Sequence, residues 1–121
     1  NLPYLNFACT LAVFDVLNHY LQKQAVQIKW PNDLIVNDKK IAGILIENQL
    51  GPKYVSSVVF GLGINVNQSR FPIGLEHATS LTQQKGIVFR KEDILERLCE
   101  YLETRFEQLE PGVGTVAGFV F

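Results

Sequence analysis

A chain of 121 residues can bury one modest hydrophobic core but not two domains of ordinary size. Its 47% hydrophobic and 19% charged residues fit a soluble globular chain rather than a disordered one. A net charge of −1, with acids and bases interspersed, argues against nucleic acid as a partner while leaving room for a local basic site that meets a phosphate. No apolar run reaches the length of a membrane span and no leader-like segment opens the chain, so no membrane partner and a cytoplasmic location are expected. Cys9 and Cys99 lie in helix-like patterns without metal-ligand spacing and read as reduced core thiols rather than a disulfide. His19 and His77 stand far apart, which speaks against a structural zinc site.

The first predicted element is a helix. Leu5, Ala8, Cys9, Ala12, Val13, Val16, Leu17, Tyr20 and Leu21 recur at helical spacing, and Phe7, Leu11 and Phe14 add a second apolar face, so packing on two sides is expected. The pattern ends near Gln22-Lys23-Gln24. Val26-Gln27-Ile28 predicts a short strand, stopped by Pro31, which has no N–H for a sheet ladder. Leu34-Ile35-Val36 and Ile41 to Ile46 predict two strands joined through Asn37-Asp38-Lys39-Lys40, because Asn and Asp tolerate the positive φ of a tight hairpin. Gly51-Pro52 marks the next turn. The valine-rich run from Tyr54 to Phe60 predicts another strand, which breaks into Gly61-Leu62-Gly63-Ile64-Asn65.

From Gln68 to Gly86 the chain reads mostly as loop, with Phe71-Pro72 and Ala78-Thr79-Ser80-Leu81 as anchors. Asn67-Gln68-Ser69 matches a glycosylation acceptor by chance, since no secretion signal supports it. A last amphipathic helix runs from about Lys91 to Leu109, burying Ile94, Leu95, Leu98, Tyr101, Leu102 and Phe106, with Asp93 and Arg97 as a supporting ion pair. Helix, hairpin-linked strands, then helix predicts an α+β fold with a mixed, largely antiparallel sheet packed with helices. Residues 111–121 are rich in Gly and Val without a clear period and stay unassigned.

Two stretches invite chemistry. In Lys29-Trp30-Pro31-Asn32-Asp33 the proline fixes its own φ and biases Trp30 towards extended backbone, so Asn32 and Asp33 are expected at a rigid corner. Lys29 ends one strand and Lys40 begins another across the hairpin, where an ammonium group suits a carboxylate or phosphate. Asp33 suits a metal ion, or the orienting and deprotonation of an amine; the bland alternative is a polar turn between solvated lysines. In Phe60-Gly61-Leu62-Gly63-Ile64-Asn65-Val66-Asn67 the glycines permit close approach of a ligand to the backbone. Val66 stands where a dinucleotide fingerprint needs a third glycine, so a glycine-kinked core strand and a ligand wall both remain open.

Taken in order, "KWPND", "KKIAGILIE" and "VVFGLGINVN", followed by "FP" and "ATSL", resemble the catalytic domain of biotin protein ligases, also called biotin–[acetyl-CoA-carboxylase] ligases or holocarboxylase synthetases. The resemblance covers nearly all the chain before the tail and implies the class II synthetase-like biotin/lipoate ligase fold, in part. It also implies ATP, biotin and Mg2+, activation of biotin as biotinyl-5′-AMP with release of pyrophosphate, and transfer to a lysine of a biotin carboxyl carrier domain. A homodimer is compatible with it.

Residue by residue, Lys40 matches the family lysine that meets the biotin carboxyl and the adenylate phosphate, and Lys29, Asn32 and Asp33 match the cluster beside it. Asp33 is the candidate for orienting the incoming amine, with magnesium nearby. Gly43, Gly61, Gly63 and Ile64 match biotin-binding positions, and Asn65, Phe71 and Ala78 nucleotide-binding ones. Strict alternation puts Lys40 and Gly43 on opposite faces of one strand, unless a bulge intervenes.

The family's Gly- and Arg-rich loop upstream, and the small β-barrel that ends many members, do not appear in these residues. The expectation is therefore a fragment, inactive alone, with residues 1–110 the C-terminal portion of the catalytic domain. The rivals are a lipoate-protein ligase-like enzyme and a non-catalytic binding or assembly module.

Overall fold

The computed structural model describes residues 2–29, 32–50 and 55–109. Its elements are α1 (Leu2–Tyr20), β1 (Val26–Lys29), β2 (Asp33–Val36), β3 (Lys39–Leu50), β4 (Val55–Ile64), α2 (Leu81–Lys85) and α3 (Lys91–Leu109). The four strands form an antiparallel meander in the order β1-β2-β3-β4. Expectations about Trp30 and Pro31, the Gly51-Pro52 turn, Tyr54 and residues 111–121 fall outside the described residues.

Helices α1 and α3 lie together and cover one face of the sheet. The apolar spacing of α1 buries Cys9, Ala12, Val13, Val16 and Leu17, all at 0% exposure. Ile94, Leu98 and Leu102 do the same from α3, at successive turns of one stripe. These side chains meet Leu34 and Val36 of β2, Ala42 and Ile44 of β3, and Leu62 of β4 in one core. The alternation of a half-buried sheet sends every second residue of those strands inward. A fork of Arg105 Nε and Nη2 to the two carboxylate oxygens of Asp15, 2.8 and 2.9 Å long, clamps α3 to α1. The second apolar face expected on α1 is only partly used, because Phe14 packs against the core while Phe7 is 46% exposed. Cys9 and Cys99 are free thiols, but only Cys9 is buried in the core. Burial pushes the Cys9 thiol up to about 12, because the low-dielectric core disfavours the thiolate.

Four local expectations need correction. The hairpin between β2 and β3 uses two residues, Asn37 and Asp38, at φ 51° and 62°, so Lys39 and Lys40 already belong to β3. That pair of positive φ values is the turn whose twist suits two right-twisted strands. Strand β4 does not break at its glycines, since Gly61 and Gly63 pair in register with Leu45 and Gly43. The loop after Gln68 contains a short helix, α2, capped by Ser80 at its start and by Gly86 at φ 75° at its end. Finally, Asp93 pairs with Arg90 at 3.2 Å rather than with Arg97, whose guanidinium lies 6.0 Å from the centre of the Tyr20 ring.

Candidate active site

The face of the sheet opposite the helices carries the site. Register places Lys29, Asp33, Gly43 and Gly63 directly opposite one another, one from each strand, as a row across the whole sheet. Side chains of opposed residues share a face. The row thus runs from a lysine through a carboxylate to two positions without side chains.

Lys40 joins this row through a β-bulge. Ile35 of β2 pairs with Lys40 and Leu34 with Ala42, which leaves Ile41 as an extra residue in β3. The extra residue resets the alternation. Ile41 and Ala42 both turn into the core, at 0% and 2% exposure, while Lys40 and Gly43 come to the same open face. Lys40 Nζ lies 3.1 Å from Asp33 Oδ1, and the two side chains are 51% and 37% exposed. The lysine runs directly over Gly43: a Cβ there would stand 3.2 Å from both Cε and Nζ of Lys40. What a side chain at 43 would crowd is thus the path of Lys40, not the backbone.

Around this pair opens a hollow of about 510 Å3, to whose walls Asn32, Asp33, Lys40, Gly43, Gly61 and Gly63 all contribute. A Cβ at Gly63 would meet nothing within 4 Å, so the far wall is bare backbone beside open space. Leu45, 60% exposed, supplies an apolar side chain next to Gly61. The Asn32 corner is fastened to the same strand, because the Ile44 N–H donates to the Asn32 carbonyl at 2.9 Å. The hollow therefore pairs a cation and a carboxylate with a wall where three glycines leave backbone bare and Leu45 adds an apolar side chain.

Ile64 and the predicted nucleotide-side residues sit elsewhere. The Ile64 side chain packs against the core and borders a second hollow of about 270 Å3, walled by Val66, Ile94 and Leu95 near the start of α3. Asn65 uses its backbone to hold the sheet: its N–H donates to the Ile41 carbonyl and its carbonyl accepts from Leu81, while its Oδ1 accepts from Gln68 Nε2 at 3.4 Å. Phe71 is partly buried in the loop that follows. Ala78 forms an isolated parallel bridge with Lys40, so the loop edge lies against the catalytic candidate's own backbone.

Sequence reasoning missed the polar struts of that loop. Asn67 donates from Nδ2 to the Phe89 carbonyl and accepts at Oδ1 from the Phe89 N–H and the Thr82 hydroxyl. Both ends of its carboxamide are thus engaged within the fold. Thr79 and Ser80 are buried at 1% and 0%, and the Ser80 hydroxyl accepts from the Gln83 N–H. The Ser80-Leu81-Thr82-Gln83 spacing was the available signal, since Ser followed three residues later by Gln marks a helix start.

Comparison with known proteins bears on the family and the fold. The model of the "Biotin/lipoate A/B protein ligase family" matches residues 2–65. The "Bifunctional ligase/repressor BirA" of Bacillus subtilis is 37% identical over 107 residues, covering 86% of this chain and 33% of that protein. The "Biotin--[acetyl-CoA-carboxylase] ligase" of Paracoccus denitrificans is 40% identical over 63 residues, which is 51% of this chain and 26% of that protein. Among solved structures, the biotin protein ligase from Aquifex aeolicus in complex with biotin and ATP superposes with a TM-score of 0.76 at 26% identity, over 93% of this chain and 46% of that one. The chain thus spans about a third of the length of the Bacillus relative it matches. With more than half of its residues inside the family model and the helix-covered antiparallel sheet of a solved ligase, the chain belongs to the biotin/lipoate A/B protein ligase family.

Proposed function

We propose that this chain forms part of the catalytic domain of a biotin protein ligase, which joins the biotin carboxylate to the α-phosphate of ATP with release of pyrophosphate and passes the biotinyl group to a carrier lysine with release of AMP. The observation that carries this reading is the Lys40 ammonium laid across Gly43 on the open face of the sheet. Attack of a carboxylate on a phosphate, and later of an amine on the mixed anhydride, both concentrate negative charge on oxygen. A fixed cation at that place is the usual main source of rate. Lys40 stabilises the charge in both steps. Asp33, 3.1 Å from Lys40, orients the attacking amine and takes up its proton in the second. Asn32 lines the hollow beside them, Lys29 stands opposite Asp33 on the neighbouring strand, and Gly43, Gly61 and Gly63 leave room for the ring system of biotin against backbone. Asn65, Phe71 and Ala78 border the nucleotide side, with Ile64 contributing to that strand end through its backbone.

Magnesium is the implied metal ion. Among the described residues no three His, Cys, Asp or Glu side chains gather as ligands, and Asp33 is the carboxylate that faces the hollow. That donor set fits magnesium held chiefly by phosphate oxygens and water, with at most one protein carboxylate. Charge neutralisation on the phosphates is what the ion supplies when bound. A biotin carboxyl carrier domain is the proposed acceptor, in the cytoplasm, with a homodimer as the proposed assembly. No helix among the described residues is long and apolar enough to cross a membrane.

Biotin-dependent exchange of labelled pyrophosphate into ATP, run on the intact polypeptide that contains these residues, tests the reading. Exchange with biotin and not with lipoate is expected. Exchange with lipoate alone would make the protein a lipoate ligase, and exchange with neither would remove the adenylation chemistry.

A further inference from the structure

From the hydrogen bonds around Lys40, we infer that Gln84 is a positioning residue for that lysine. The inference rests on the role proposed above for Lys40.

Lys40 is held by its backbone from a segment outside the sheet. Its N–H donates to the His77 carbonyl at 2.7 Å, and its carbonyl accepts from the Thr79 N–H at 2.9 Å. The strap that makes these bonds follows an exposed stretch, Gly74 to His77, so its own support decides where Lys40 rests. Part of that support comes from the bonds of Ala78, Ser80 and Leu81 to Leu75, Gln68 and Asn65, and part from the Thr79 side chain, 1% exposed, whose hydroxyl donates to Gln83 Oε1 at 3.1 Å and accepts from Gln84 Nε2 at 2.9 Å.

Gln84 then reaches the other flank of Lys40. Its Oε1 accepts from Asn37 Nδ2 at 2.7 Å, and Asn37 is the first residue of the hairpin turn that leads into β3. Both ends of one carboxamide are in use, the donor towards the strap and the acceptor towards the turn. Gln24 fastens the same residue by donating to the Gln84 carbonyl at 3.3 Å. The consequence is geometric. The turn before Lys40 and the strap beside it cannot drift apart without breaking one of the two bonds to Gln84. The bulge at Ile41 makes this support useful, since the ladder between β2 and β3 is irregular there.

Displacement of a catalytic group by about 1 Å costs up to two orders of magnitude in rate. Because the Asn37 bond is solvent-exposed, Gln84→Leu is expected to slow adenylate formation by about tenfold, with KM for biotin and ATP changed less than about twofold. The test is a double-substitution cycle in the intact polypeptide, measuring steady-state pyrophosphate release. In the Lys40→Ala background, Gln84→Leu is expected to change the rate by less than about twofold, since the group it positions is gone. A tenfold fall in that background as well would overturn the inference and make Gln84 a general structural residue. Wild-type rate in a folded Gln84→Leu protein would overturn it too. Should Gln84→Leu fail to fold, Asn37→Gly removes the same brace from the other side while glycine keeps the positive φ of the turn. That variant is expected to lose rate in the same direction, with unchanged KM, and full activity in it would sink the brace. If Lys40→Ala is itself as fast as wild type, the functional reading of Lys40 fails, and the brace has nothing to position.

Discussion

The two faces of one small sheet teach different lessons about the same strands. On the covered face Leu34, Val36, Ala42, Ile44 and Leu62 are 0 to 5% exposed and meet α1 and α3. On the open face the neighbouring positions hold Asp33, Gly43, Gly61 and Gly63, with Lys40 brought in by the bulge. The first set answers to burial and the second to a ligand. A single extra residue, Ile41, lets both requirements be met, since it goes into the core and leaves the lysine outside.

If the faces divide labour in this way, substitutions on them separate stability from rate. The largest effect is expected on the covered face. Leu34→Ala removes a fully buried side chain and should lower unfolding stability by about 3 kcal/mol, read from urea denaturation, with turnover per folded molecule little changed. On the open face Asp33→Asn should do the reverse. It keeps size and hydrogen-bonding reach but removes the charge, so transfer from preformed biotinyl-5′-AMP to the carrier should slow about a hundredfold while adenylate formation stays fairly intact. Raising the pH should partly rescue transfer, because more of the acceptor amine is then already deprotonated. Equal loss in both half-reactions would instead make Asp33 a metal ligand or a brace.

Gly43→Ala is expected to act more gently. The new methyl meets only the flexible end of Lys40, so stability should move by less than about 0.5 kcal/mol. The end of the lysine must nevertheless shift beside Asp33, and a loss of up to about tenfold in the adenylation rate is expected, measured by pyrophosphate release. Unchanged rate would mean that the lysine works from another position.

Near neutral pH the smallest effect belongs to the core again, and it grows only in alkali. The Cys9 thiol is pushed up to about 12 in the folded chain, from an ordinary value of 9.0. Stability from this group is complete below the unfolded value and is lost as pH rises from about 9 towards 12, by at most about 1.4 kcal/mol per pH unit. Comparing the urea midpoints of wild type and Cys9→Ala across that range isolates the contribution, which should shrink only in the wild type.

Much of this was legible in the sequence, for physical reasons that differ by element. The two long helices announce themselves because nearly every buried position on them is apolar and recurs at helical spacing, as Val13, Val16 and Leu17 do. Asn37-Asp38 carries its turn type in its side chains. The bulge at Ile41 does not: five residues from Lys40 to Ile44 read as an ordinary strand, and only pairing with the short β2 forces one of them out of register. The expected clash between alternation and the pairing of Lys40 with Gly43 was the one trace it left. Gly61 and Gly63 were ambiguous between kink and wall, because a sequence does not say which side of a strand is covered. Asp93 was assigned to Arg97 by spacing, yet Arg90 reaches it from the loop before α3. The Thr79–Gln84–Asn37 connection joins residues 42 and 47 positions apart from the hairpin, and no local pattern encodes such a contact.

The central claim is that the open face works through Lys40. Single-turnover rates of both half-reactions in Lys40→Ala, on the intact polypeptide and normalised to folded protein, test it most directly. Loss of one fixed charge-stabilising group costs on the order of a hundredfold, so a fall of about that size in both adenylation and transfer is expected, with the melting temperature nearly unchanged because the lysine is half exposed. Near-normal rates in both steps would contradict the account and return Lys40 to the surface as a solvated partner of Asp33.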